Sequence, residues 1–221
     1  LKNHSSQPHF IIMPELTIPL GRINDLKRLA AKLNSVIIAG MDFDLMEKRR
    51  VTNRATIAIP NNWLQNKNSR YVNIKFVGKT NFSYVEKEYF KLKEAEEKSD
   101  LNIYLFDAAE YGRIGIVICS DFFDLDRFQV YRGNIHHLFV LSYNRDIPSF
   151  YSLAEALSRI VYCNVIVCNT GYYGGSLVFS PYKDQHRRTI YKHEGKNLFT
   201  TQVVELPVNK LNQAQQEGKL K

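Results

Sequence analysis

Apolar positions along this chain recur with two different periods. Continuous apolar runs predict buried strands over residues 9–13, 35–41, 113–119, 138–142 and 165–169. Residues 54–60, 71–77, 101–106, 176–180, 188–193 and 199–206 read as further strands, and 61–62 and 66–69 read as turns. Between the runs, apolar residues return every three or four positions. Ile23, Leu26, Leu29, Ala30 and Leu33 predict a helix over 22–34. Phe122, Leu125 and Phe128 predict one over 121–131, and Leu153, Ala156, Leu157 and Ile160 one over 148–162. Residues 80–100 are rich in Lys and Glu and lack Gly and Pro, which suits a surface helix or a loop bringing charge to a cleft. The tail, 208–221, reads as a polar helix or a frayed end. Strands outnumber helices and short turns join them, so mixed sheets face to face with helices outside fit better than a doubly wound parallel sheet.

The 221 residues are 44% hydrophobic and 24% charged, the balance of a globular protein and not of collagen, low-complexity sequence or a coiled coil. No apolar run approaches the roughly 18 residues of a membrane span, and the opening residues lack a signal-peptide core. The chain starts without Met, and the expectation is a domain excised from a longer polypeptide. Cys119, Cys163 and Cys168 are too few for a disulfide scaffold and suit reduced thiols in the cytoplasm. Six histidines show no metal-ligand spacing, so no metal is expected. The formal charge is +8. Arg49 and Arg50, with Arg187 and Arg188, suit either solvated loops or a patch for nucleic acid or an acidic partner.

Cys119 is the strongest candidate for chemistry. It ends a buried strand at a turn into a helix, where main-chain N–H groups can stabilise a thiolate and an oxyanion. The alternative is a buried apolar thiol, the reading that fits Cys163 and Cys168. A thiol needs a base. None of the histidines, His136 and His137 included, has a supporting context. Glu15 follows the apolar Phe10-Ile11-Ile12-Met13-Pro14, where half-desolvation raises a carboxyl pKa toward that of a general base. An ordinary edge glutamate competes with that reading. A lysine between them would stabilise negative charge. Lys87 is the candidate, with Lys91 and Lys93 as rivals.

Taken together, Phe-Ile-Ile-Met-Pro-Glu15, Tyr-Val-Glu-Lys87-Glu-Tyr-Phe and Gly-Ile-Val-Ile-Cys119-Ser-Asp resemble the Glu-Lys-Cys motifs of the nitrilase superfamily of carbon–nitrogen hydrolases. Later segments, from Ala156-Leu157-Ser158-Arg159 to Asn169-Thr170-Gly171 and over Gly174–Pro181, resemble the family's closing motifs. The resemblance implies one domain over 1–221 with a four-layer α-β-β-α sandwich of two mixed sheets, its first strand absent or truncated. It implies hydrolysis of an amide or nitrile through a cysteine thioester, without a cofactor, with the Ser120 backbone N–H as an oxyanion donor. A second glutamate is expected at Glu94, with Glu96 as the rival. It also implies a homo-oligomer. Ser120 and Phe122-Phe123 depart from the family pattern. They leave open an inactive accessory or oligomerisation domain fused to another enzyme, such as a reverse transcriptase in antiphage defence.

Overall fold

The computed structural model describes residues 7–65, 67 and 69–217. His4, part of the expected 66–69 turn and the last four residues of the tail lie outside the described residues. The chain divides into two compact units. Of the described residues, the first comprises 7–103 together with 117–124, and the second comprises 104–116 and 125–217.

In the first unit, β1 (Phe10–Ile18) leads through α1 (Ile23–Leu33) to β2 (Val36–Met41). The α1 helix turns its Leu26 and Ala30 inward and ends at Asn34, which takes the left-handed conformation that asparagine tolerates. Two short strands follow, β3 (Asp44–Met46) and β4 (Arg50–Thr52), then β5 (Arg54–Pro60) and β6 (Val72–Gly78). Strands β1, β2, β5 and β6 form a mixed sheet in that order, with β1 parallel to β2 and the other pairs antiparallel. Leu26 and Ala30 pack with Ile37, Ala39, Met41 and Ala58 as the core between helix and sheet. The 80–100 segment holds α2 (Tyr84–Leu92) and β7 (Glu96–Glu97), and β7 joins β3 and β4 in a small three-stranded sheet that the sequence pattern does not reveal. Strands of two or three residues are too short to show a period.

The β1–β2 pairing contains an irregularity with a structural purpose. Met13 pairs with Ala39, yet the next pairing is Ile18 with Met41, so four residues of β1 bulge opposite Gly40 alone. Glu15 lies in that bulge, and Leu16 after it has φ of 54°. A Cβ on Gly40 would lie 2.4 Å from the Glu15 Cα and 2.5 Å from the Pro14 carbonyl oxygen. Only glycine lets the two strands approach this closely.

The second unit is built on a six-stranded mixed sheet ordered β13-β12-β11-β10-β9-β8. Its strands are β8 (Leu105–Asp107), β9 (Arg113–Ile118, whose last two residues count with the first unit), β10 (His137–Ser142), β11 (Asn164–Asn169), β12 (Ser176–Phe179) and β13 (Thr189–His193). The helices are α3 (Leu125–Tyr131), α4 (Ile147–Leu157, capped by the Asp146 side chain) and α5 (Asn209–Gln216).

Three expected elements differ. The 101–106 strand shrinks to β8, because Asp100 folds the chain into a turn by accepting the Asn102 N–H at 3.1 Å. The 121–131 helix starts only at Leu125, after a 3-10 turn over Cys119–Phe123. Residues 199–206 form no strand: Leu198 gives its N–H to the Gly171 carbonyl, and the segment beyond it finds no ladder partner. Alternating apolar residues without a neighbouring strand do not make a sheet.

His137 is buried in the second unit. Its Nε2 donates to the Tyr111 carbonyl at 3.1 Å, and its Nδ1 accepts from the Asn164 side chain at 3.1 Å. Burial, with His136 adjoining, holds its pKa down to about 4 against an ordinary 6.5. A neutral imidazole is therefore favoured in the folded state, and stability falls as pH drops below the unfolded value toward the folded one. We expect unfolding free energy, from urea titration, to fall by about 2 kcal/mol between roughly pH 6.5 and 5 through this group, and His137→Asn to remove that slope. We also expect Gly40→Ala to destabilise the chain by about 3 kcal/mol, measured the same way.

Candidate active site

One strand bulge and two strand ends meet in the first unit, and each delivers a reactive side chain. The β1 bulge presents Glu15, the end of β6 presents Lys79, and the end of β9 presents Cys119. Lys79 Nζ lies 2.8 Å from Glu15 Oε1 and 2.7 Å from Glu86 Oε1. The lysine side chain is 1% exposed and that of Glu15 3%. The Cys119 thiol is hydrogen-bonded to the Glu15 carboxyl and within electrostatic reach of the ammonium. Asn53 donates a further bond from Nδ2 to Glu15 Oε1, 2.7 Å. Phe82 places its ring 5.7 Å from the ammonium and packs against Phe90 in a cluster that also holds Val51 and Ala95.

Glu86 is placed by helix chemistry. It is the third residue of α2, and its Oε2 closes a capping box by accepting the Ser83 N–H at 2.8 Å. Its other oxygen is thereby aimed at Lys79. One carboxylate starts the helix and holds the cation.

The Lys79 loop is anchored on several sides. Lys79 N–H donates to the Asn53 carbonyl at 2.8 Å, and Asp100 N–H to the Lys79 carbonyl at 3.0 Å. Asp121, fully buried, accepts the N–H groups of Thr80 (3.1 Å) and Asn81 (2.7 Å). The Ser120 hydroxyl donates to the Asn81 carbonyl. These bonds tie the lysine loop to the turn that carries Cys119. That turn is strained: Cys119 has φ of 47°, a left-handed conformation costing a non-glycine residue about 1–3 kcal/mol. The thiol is thus presented on a sharp strand-to-turn corner, held there by Asp121 and Ser120.

Burial acts strongly on the charges. It raises the Glu15 pKa above 4.5; Lys79 opposes the rise and Glu86 adds to it. Burial also works against the Lys79 ammonium, but Glu15, Cys119 and Glu86 outweigh it and leave the amine firmly protonated. Cys163 and Cys168 differ. Burial pushes both thiols up, Cys168 to about 12, so neither ionises near neutrality.

The structure brings Glu15 and Cys119 together, with Ser120 beside the thiol, and corrects two expectations. Lys87 lies outside the cluster; its side chain is 51% exposed and pairs with Glu97 at 3.3 Å. Glu94 is 78% exposed and pairs with Arg49 at 2.7 Å. Glu96 is exposed on β7, Lys91 is exposed, and Lys93 lies over the Tyr89 ring. The reason is helical rotation. On α2, Glu86 and the buried Phe90 are four residues apart and share the inward face, and Lys87 is turned about 100° away. Two signals in the sequence mark the residues that join Glu15 in the buried cluster. Lys79 directly follows the alternating strand Val72–Gly78, as Cys119 follows an apolar one, and Ser83-x-x-Glu86 is a capping-box motif.

His136 and His137 belong to the second unit and are bound there. His136 Nδ1 accepts the Arg113 N–H at 2.9 Å, and burial lowers its pKa. The arginines are also engaged: Arg187 stacks on Tyr182, and Arg188 bonds the Tyr182 and Lys183 carbonyls. Arg49 and Arg50 lie in the first unit, Arg187 and Arg188 in the second. Among the described residues, no helix is long and apolar enough to cross a membrane, and no group of three or more His, Cys, Asp or Glu could hold a metal.

No protein-family model and no curated protein matches the sequence. Solved structures do match its fold. The CN-hydrolase superfamily protein XC1258 from Xanthomonas campestris, with an arsenic adduct in its active site, superposes with a TM-score of 0.64 at 14% identity, over 94% of this chain and 81% of that one. Saccharomyces cerevisiae Nit3, of the nitrilase superfamily, gives 0.62 at 14% identity over 85% and 73%. A mutant amidase from Nesterenkonia sp. AN1, with acrylamide added at its active-site cysteine, gives 0.61 at 11% identity over 85% and 76%. The fold is therefore that of the nitrilase superfamily, the expected α-β-β-α class.

Removing the buried cation tests the geometry. Lys79→Met leaves Glu15 buried without its partner and should cost about 3 kcal/mol in urea unfolding. Lys87→Met, at an exposed pair, should change stability by less than about 0.5 kcal/mol. The opposite ranking would contradict the placement of these two lysines.

Proposed function

We propose that this chain is a divergent carbon–nitrogen hydrolase that cleaves a small amide or nitrile through a cysteine thioester. The observation that supports this most directly is the buried Glu15–Lys79 pair meeting the Cys119 thiol within a nitrilase-superfamily fold.

In this reading Glu15 is the general base and takes the Cys119 proton. The sulfur then attacks the amide or nitrile carbon, forming a C–S bond as an electron pair moves onto the oxygen or nitrogen. Lys79 has three N–H donors. Two are committed to Glu15 and Glu86, and the third meets the developing charge together with the Ser120 backbone N–H. Each such donor contributes about 3 kcal/mol in well-studied hydrolases. For an amide, collapse of the tetrahedral intermediate breaks the C–N bond, and Glu15 returns its proton to the departing amine. Glu15 next removes a proton from water, whose oxygen attacks the thioester and releases the acid and the thiol. The left-handed Cys119 corner keeps the sulfur off the strand and within reach of the base.

Three substitutions test the assignment against a panel of small aliphatic amides and nitriles, followed by ammonia release. Cys119→Ala, Glu15→Gln and Lys79→Met should each lower kcat at least about 100-fold, and mass spectrometry should show an acyl adduct on Cys119 only when the thiol is present. Because burial raises the Glu15 pKa and only its ionised form accepts the proton, kcat/KM should fall as pH drops through a value above 4.5. Hydrolysis that survives in Cys119→Ala would overturn the assignment. An intact, reactive Cys119 with no turnover of any amide or nitrile would instead move the chain to the accessory role.

A further inference from the structure

We propose that Asn53 is a positioning residue for this site, turning the Glu15 carboxylate so that Oε1 is held by fixed donors and Oε2 receives the Cys119 proton. The proposal rests on the reading of Glu15 as the general base. Asn53 lies between β4 and β5 and is almost completely buried. It touches both partners of the ion pair. Its side-chain Nδ2 donates to Glu15 Oε1 at 2.7 Å, and its main-chain carbonyl accepts the Lys79 N–H at 2.8 Å. Lys79 Nζ donates to the same Oε1 at 2.8 Å. A carboxylate oxygen has two lone-pair directions, and on Oε1 both are taken.

Lys79 alone cannot fix the carboxylate, because its ammonium is shared with Glu86 and sits on a four-carbon stem. The short, planar amide of Asn53 can. Its Oδ1 has no hydrogen-bond partner among the described residues. The amide orientation is therefore set by Glu15 itself, since a flipped amide would place oxygen against oxygen. The charged and titratable groups facing Glu15 are Lys79 at the end of β6, Glu86 on α2 and Cys119 after β9. Of the two groups that donate to Oε1, Asn53 is the neutral one, and its amide does not titrate.

Alkylation of Cys119 by iodoacetamide as a function of pH, quantified by mass spectrometry on the full chain, tests this without a substrate. The acid limb of the wild-type profile reports the Glu15–Cys119 pair. Asn53→Leu removes a donor to the charged carboxylate and should move that limb upward by about one pH unit. Asn53→Asp, nearly isosteric, sets a second carboxylate beside Glu15 and should move it further. The main-chain bond to Lys79 survives both changes, and circular dichroism checks the fold. A purely structural role would lower the amplitude without ordering the limbs. Should Asn53→Leu misfold, the Asp variant decides alone. If Glu15→Gln abolishes the limb but neither Asn53 variant shifts it, this proposal fails and the base assignment stands. If Glu15→Gln leaves the wild-type limb in place, both fall.

Discussion

The buried contact between Glu15 and Lys79 is the constraint on which the first unit depends. Two opposite charges removed from water are worth keeping only when geometry and further bonds compensate their lost hydration. Here the compensation is specific. Asn53 and Lys79 share one carboxylate oxygen, Glu86 adds a second anion to the ammonium, and Phe82 lays a ring against it. Two carboxylates around one cation keep the amine protonated whatever the thiol does. Burial and the neighbouring Glu86 anion also favour the protonated form of Glu15, against the pull of Lys79.

Two of the left-handed non-glycine residues stand where these groups are presented. Leu16 and Cys119 both have positive φ, one directly after the carboxylate and the other at the thiol. Gly40 lets β1 bulge, and Asp121 pins the lysine loop to the cysteine turn. Strained residues of this kind persist when the surroundings overdetermine them, and they concentrate at functional sites. The cluster lies wholly within one of the two compact units, so its geometry follows from the four-stranded sheet, α2 and the turn after β9.

The fold is shared with solved structures at identities of 11–14%. At that distance a common architecture carries no chemistry by itself. The functional reading comes from the side chains that meet at the strand ends, and the fold adds that the same architecture supports cysteine chemistry in the amidase.

Much of the molecule was legible from local pattern. Continuous apolar runs marked the central strands, three-and-four spacing marked α1 and α4, and strand-end position singled out Glu15 and Cys119. These features depend on one element at a time, and hydrophobic period reports whether that element is buried. Hydrophobic period did not single out the lysine and the second glutamate that join them; their signals are a strand end before Lys79 and a capping box at Glu86. Lys87 and Glu94 stand in a charged run where every residue looks alike, and only the rotation of α2 against Phe82 and Val51 shows that Glu86 faces inward and Lys87 does not. Likewise Asn53, an unremarked polar residue between two short strands, became part of the site only when β5 and β6 brought it against Glu15. Burial, and the pKa shifts that follow from it, arise from contacts between distant segments, and those exist only once the chain has folded.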